Sequence, residues 1–313
     1  MFEILVGTRF PFMKYRKTAY LVSGVLSLIC IASLVLHGGP KESIDFTGGS
    51  VLYVGLDRAV PAGDLRSAAQ EAGFEGAEVQ SAEAGMQAII RFRQAQGDTT
   101  NPFYAFRDRI TARQNGLSVG LRSLDVVGPK VGKELEQKAT LAVLVSLVLM
   151  LIYVAFRFTR VSFGLGAVIA LFHDVLLVLG LFSLLNMEVS LTIVAALLTL
   201  AGYSINDTIV VFDRIRENMG LTRRMSFADV MDKSVNETLS RTILTGGSTF
   251  VAVVALYFLG GVVIRDFAFA MGVGILFGTY SSVFVASALA LDITLASEKR
   301  RLSAEAQAAR VKA

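Results

Sequence analysis

The sequence predicts a polytopic α-helical membrane protein: six transmembrane helices, with a ferredoxin-like α+β domain between helices one and two. Three observations predict it. Hydrophobic residues make up 53% of the 313 positions, mean hydropathy is +0.58, and the apolar residues gather into runs near the roughly 20 residues that cross a bilayer. A polar stretch of about a hundred residues, enough for a small domain, interrupts those runs once. Lys and Arg concentrate between the runs, in alternate connections.

The first run, 19–37, follows a basic segment, 1–18, containing Arg9, Lys14, Arg16 and Lys17. That flank resembles a secretory signal. The run is too long for a signal core, however, and "LHGGPKES" offers no cleavage site of small residues, so a retained anchor is expected.

The 38–137 stretch alternates strand and helix patterns. "SVLYVGL" reads as a strand, and "PAGDLRSAAQEAG" as a helix with Pro61 near its start and Gly73 at its end. "AEVQSA" and "MQAIIRFR" are two further strands, "NPFYAFRDRITARQNG" a second helix and "LRSLDVVG" a last strand. The resulting β-α-β-β-α-β order is that of a ferredoxin-like domain. Cysteine, the G-x-S-x-G pattern and the P-loop are all missing from the stretch, and His37 lies at its membrane edge, so binding or docking is expected rather than catalysis.

The remaining runs, 138–156, 162–184, 189–212, 240–260 and 267–291, complete the bundle within 138–291, with a loop at 213–239 and a tail at 292–313. With six spans, one side holds the amino-terminal segment, the "RFTR" turn at 157–160, the tail "EKRR", and the loop with Arg214, Arg216, Arg223, Arg224 and Lys233. The positive-inside rule makes that side cytoplasmic, with both termini there and 38–137 outside. A net charge of +4 therefore signals topology, not nucleic-acid binding. Cys30 cannot form an intrachain disulfide, and no Cys/His cluster has metal-site spacing, so neither a metal nor a cofactor is expected. Within the loop, Met225, Phe227, Val230, Met231, Ser234 and Val235 recur at partly helical spacing; an amphipathic segment at the membrane surface and a solvated hairpin both fit.

Charged residues inside the spans are the candidates for function. Asp207, with Asn206 beside it, lies six residues before Asp213, so a helix places it about 9 Å inside the boundary marked by "DRIRE". A buried carboxylate faces a partner or a water-filled cavity. A helix ending near Ser204 would leave it interfacial, but the apolar "TIVVF" follows. Arg241 opens the next span and is the natural counter-charge, with Thr245 one helical turn further in; snorkelling to headgroups is the alternative for Arg241. His173 and Asp174 form a second polar pair near mid-span, either in a proton path or as a knot of interhelical hydrogen bonds. Adjacent residues point about 100° apart on a helix, which favours the supporting role. Gly274 and Gly278 form a G-x-x-x-G and predict close helix packing.

Five segments then carry a family resemblance: "IDFTGG" at 44–49, "VGPKVGKEL" at 127–135, "GYSINDTIVVFDRIREN" at 202–218, "NETLSRTILTG" at 236–246 and "VIRDFAFAMGVGILFGTYSS" at 263–282. They resemble the SecF family of the resistance-nodulation-division architecture, in the family's order. Ser43 stands where the family often has glycine, and "ASALALD" where it often has proline. The resemblance implies a non-enzymatic subunit of the bacterial inner membrane that pairs with SecD, associates with the SecYEG channel and YajC, and acts on preproteins among membrane lipids. It implies use of the proton-motive force for translocation and release, with the proton pathway at Asp207, Arg241 and Thr245. Asn206, His173 and Asp174 are the supporting intramembrane polar residues. A small-molecule exporter, a purely structural subunit and an intramembrane protease are the rivals; His173 and Asp174 fit no H-E-x-x-H pattern.

Overall fold

The computed structural model describes residues 7–82, 85–93, 101–158, 160–221 and 225–312. Thr159, Arg223 and Arg224, singled out above in the basic connections, lie outside the described residues. Along the chain come α1 (Arg16–Leu36), β1 (Lys41–Glu42), α2 (Ile44–Thr47), β2 (Gly49–Leu56), α3 (Ala62–Glu71), β3 (Glu75–Ala82), β4 (Gln87–Arg93) and α4 (Pro102–Arg113). There follow β5 (Val119–Val127), α5 (Pro129–Arg157), α6 (Val161–Leu184), β6 (Glu188–Val189), α7 (Leu191–Leu221), α8 (Phe227–Leu259), α9 (Gly261–Ser281), a π-turn (Ser282–Ala286) and α10 (Ser287–Lys312). Two compact units result: Glu42–Leu141, and Met1–Lys41 with Ala142–Ala313.

The Glu42–Leu141 unit is an antiparallel sheet in the order β3-β4-β2-β5 with two helices, the ferredoxin-like arrangement. Its core is the alternating face of β2, with Leu52, Val54 and Leu56 buried against Leu65 and Ala68 of α3 and Phe106 and Ile110 of α4. Asn101 caps α4 by accepting the Phe103 amide at 3.0 Å, and Pro102 occupies the first turn, where no amide donor is needed. "IDFTGG" and "VGPKVG" interlock. Gly48 has φ of +72°, and a Cβ there would lie 2.9 Å from Pro129 Cα; a Cβ on Gly132 would lie 2.7 Å from the Phe46 carbonyl. Ser43, where the family often has glycine, has φ of −80° and caps α2 through the Asp45 amide, so glycine is not required.

Among the described residues six helices are long and apolar enough to cross a membrane. The second unit packs around two apolar clusters. One gathers Phe163, Ile205, Phe212, Met231 and Ala286; the other gathers Val178, Phe182, Ile193, Leu200 and Ile275. The glycine pair behaves as its spacing predicts: a Cβ on Gly274 would meet Leu200, and one on Gly278 would meet Ser204, both on α7.

The 213–239 segment is not a loop throughout: α7 continues to Leu221 and α8 begins at Phe227. Its apolar residues divide: Met225 is exposed, while others pack inward. Val230, Met231 and Val235 are buried, the latter two in the cluster that holds Phe12, Met13 and Ile215. Asn218 donates to Ser234 Oγ at 2.9 Å and to Glu237 at 2.7 Å, and Arg214 donates to Glu237 at 2.7 Å. Those bonds join the two helices beyond the apolar runs, so the hairpin has no reason to unwind where hydropathy falls.

Candidate functional site: two buried carboxylates at a π-turn

Ser204 and Asp207 lie one helical turn apart on α7 and so share a face. That face meets α9, whose Gly278 removes the side chain that would otherwise hold the helices apart. Ser281 ends α9 and Ser282 begins the π-turn. A π-turn widens the helix and frees backbone groups. Here the Ser287 hydroxyl donates to the Ser282 carbonyl at 2.9 Å, and the Ala286 carbonyl comes so near α6 that a Cβ on Gly166 would lie 2.7 Å from it.

Asp207 is partly buried, and each of its oxygens has a donor. Thr242 Oγ1 of α8 donates to Oδ1 at 2.7 Å, and Ser282 Oγ to Oδ2 at 2.5 Å. Both lengths fall in the range of good hydroxyl hydrogen bonds. One side chain thus joins α7, α8 and the π-turn. The helix does not end near Ser204, the condition on which Asp207 would be interfacial; α7 runs fourteen residues beyond Asp207, to Leu221.

Arg241 acts on Asp207 electrostatically but does not bond to it. Among the described residues the two form no ion pair, and Arg241 is exposed while its neighbour Thr242 is 2% exposed. Thr245 is likewise exposed and donates to the backbone carbonyls of Arg241 and Thr242, at 2.8 and 3.2 Å. Helix phase explains this: the residue after Arg241, not Arg241, turns toward α7. Asn206 is exposed as well.

Asp174, on α6, is fully buried. Its Oδ2 accepts from Ser204 Oγ at 2.6 Å and Ser281 Oγ at 2.7 Å, and its Oδ1 lies 3.0 Å from His173 Nδ1. The interhelical knot expected of this pair is therefore present, linking α6, α7 and α9. Although adjacent residues leave a helix about 100° apart, the imidazole swings back to its neighbour's carboxylate. Ser204, Thr242, Ser281 and Ser282 were not picked out from sequence; the serine doublet in "GTYSS" and the i−3 spacing of Ser204 from Asp207 are the signals that point to them.

Among the described residues no group of three or more His, Cys, Asp or Glu could hold a metal. Two carboxylates, four hydroxyl donors and an imidazole are set where the two apolar clusters meet. A cavity of about 630 Å³ lies elsewhere, between residues 7–11 and the start of α8, and none of these carboxylates lines it.

Comparison with known proteins gives a consistent result. Residues 109–296 match the family described as protein export membrane protein SecD/SecF, C-terminal. The chain is similar to the protein translocase subunit SecF of Vibrio alginolyticus, 43% identical over 95% of this chain and 94% of that one. It is also similar to the protein translocase subunit SecDF of Thermus thermophilus, 42% identical over 97% of this chain but 41% of that longer one. A crystal structure of SecDF, a translocon-associated membrane protein from the same genus and species, superposes with a TM-score of 0.82 at 39% identity, covering 93% of this chain and 39% of that one.

Proposed function

The chain belongs to the SecF family of bacterial protein translocase subunits, multi-pass membrane proteins, and from that premise we propose that it uses the proton-motive force, together with a SecD partner, to promote preprotein translocation and release. The SecDF relative in which this chain's counterpart is part of one longer polypeptide supports the SecD pairing. The positive-inside distribution supports cytoplasmic termini and a periplasmic Glu42–Leu141 unit, with the SecYEG channel and YajC as further partners.

The observation that carries the mechanism is the pair of hydroxyls on Asp207, from Thr242 and Ser282. Ionised, Asp207 draws α8 and the π-turn to α7. Protonation removes the charge that makes both bonds strong, so the packing of three helices responds to one proton. In this reading Arg241, exposed beside Thr242, faces SecD and attracts the ionised form of Asp207, which its exposure supports. Thr245 lies on the same exposed side and extends the proposed path. Each proton crossing the potential releases about 2.3 kcal/mol per 100 mV, so a few protons suffice to bias a two-state periplasmic movement.

The test is Asp207→Asn in vesicles containing the partner subunit, at matched protein abundance. Proton-dependent preprotein release is expected to be lost; release at the unmodified level would leave Asp207 as a structural residue only.

A further inference from the structure

We propose that His173 and Asp174 form a second proton-binding site in the bundle, in which His173 takes up the proton at Nε2 while Asp174, with Ser204 and Ser281, holds the ring. The site does not depend on whether Asp207 carries protons.

The hydrogen-bond directions set the tautomer. Asp174 receives hydroxyls from α7 and α9 on Oδ2, and its Oδ1 faces His173 Nδ1 at 3.0 Å. With Asp174 ionised both oxygens only accept, so Nδ1 carries the hydrogen and Nε2 the free lone pair. His173 is 8% exposed, and among the described residues its Nε2 is buried with no hydrogen-bond partner. Buried polar atoms are rarely left so. A knot that only tied α6 to its neighbours would need a donor at the Nδ1 position, which an Asn amide supplies; it has no use for a second, uncommitted nitrogen.

Charge gives that nitrogen its role. With Asp174 ionised and the imidazole neutral, the knot carries one negative charge in an apolar layer, met only by hydroxyl dipoles. Uptake of one proton forms one N–H bond at Nε2 and brings the pair to no net charge; release reverses both. The other titratable groups of the surrounding elements are committed elsewhere. Tyr280 of α9, with its ring 6.5 Å from the imidazole, donates its hydroxyl to the Ala19 carbonyl at 3.1 Å and lies 3.1 Å from Ser23 Oγ. Asp207 of α7 holds Thr242 and Ser282; Asp292 of α10 pairs with Arg16 and accepts from Tyr20; Cys30 of α1 points to the Leu177 carbonyl; Glu188 of β6 pairs with Lys41. Consecutive residues, Ser281 and Ser282, give one hydroxyl to each carboxylate, so both proton sites act on the same turn of helix.

The chain has only two histidines, His37 and His173, which makes the test direct. Nitrogen NMR of the full-length, histidine-labelled protein in bilayers with its partner subunit would be recorded against pH, with His37→Asn assigning the His173 signals. His173→Asn in the native background makes the same assignment by subtraction if the first variant does not fold. The expected result is an Nδ1–H neutral ring at high pH that becomes a doubly protonated ring within the pH window recorded. His173→Asn should also keep the melting temperature while abolishing that transition. A His173 ring that stays in one neutral tautomer across the window, or an Nε2–H ring at high pH, would overturn the proposal.

Discussion

Ser282 donates its hydroxyl to Asp207 at 2.5 Å, across 75 positions of sequence and from the first residue of a π-turn. This bond ties the irregular stretch of the last membrane helix to the carboxylate that the apolar run around it makes costly. The geometry explains how an Asp persists in a span: it is supplied with hydroxyl donors from two other helices, and the charge of Arg241 acts on it without a direct bond.

Removing either donor should therefore weaken the bundle measurably. Ser282→Ala and Thr242→Val each delete one hydroxyl from Asp207, and each is expected to cost about 1 kcal/mol, the scale of interhelical hydrogen bonds in membranes. Thermal unfolding in detergent checks this. Thr245→Val, whose hydroxyl bonds only its own helix, should leave stability nearly unchanged.

Close packing makes a sharper steric prediction at Gly180. A Cβ there would fall 2.1 Å from Cys30 Cβ and 2.8 Å from its Cα, so α1 and α6 must separate. Gly180→Ala is expected to destabilise by about 1–3 kcal/mol, as overpacking does. Gly202→Ala, which meets nothing within 4 Å, is the control that should not. Accumulation in membranes and melting temperature read both.

How much of this was legible in sequence follows from which forces are local. The spans were readable because each is one apolar run, and the 38–137 domain because strands alternate and helices carry caps such as Asn101 and Pro102. The hairpin beyond residue 213 was not, since hydropathy falls there while helix pairing through Asn218, Ser234 and Glu237 continues. Asp207 was conspicuous as a lone charge. Its partners were hidden because a serine or threonine in an apolar helix is ordinary, and only the fold brings residues 35 and 75 positions away onto it. Arg241 was conspicuous as an opposite charge and does act on Asp207 electrostatically, but helix phase turns Thr242 inward to make the direct bond.

Acid should act on the Glu42–Leu141 unit through a pair joining its two helices. Arg113 of α4 donates to both oxygens of Glu71 on α3, and these bonds hold the Glu71 carboxyl below its ordinary range. A depressed folded value means the stabilisation is present above the unfolded carboxylate's pKa, about 4.3, and is lost as pH falls through the folded one. Hydrogen exchange of α3 amides should accelerate across that acid window. Glu71→Gln is expected to flatten the dependence there.

The central claim is that Asp207 gains and loses a proton. Difference infrared spectroscopy of the assembled complex, comparing acidified with neutral samples, reads this directly. A protonated-carboxyl band that appears on acidification and is missing in Asp207→Asn is the result expected. An identical difference spectrum in the variant, with no carboxyl band lost, would contradict the account.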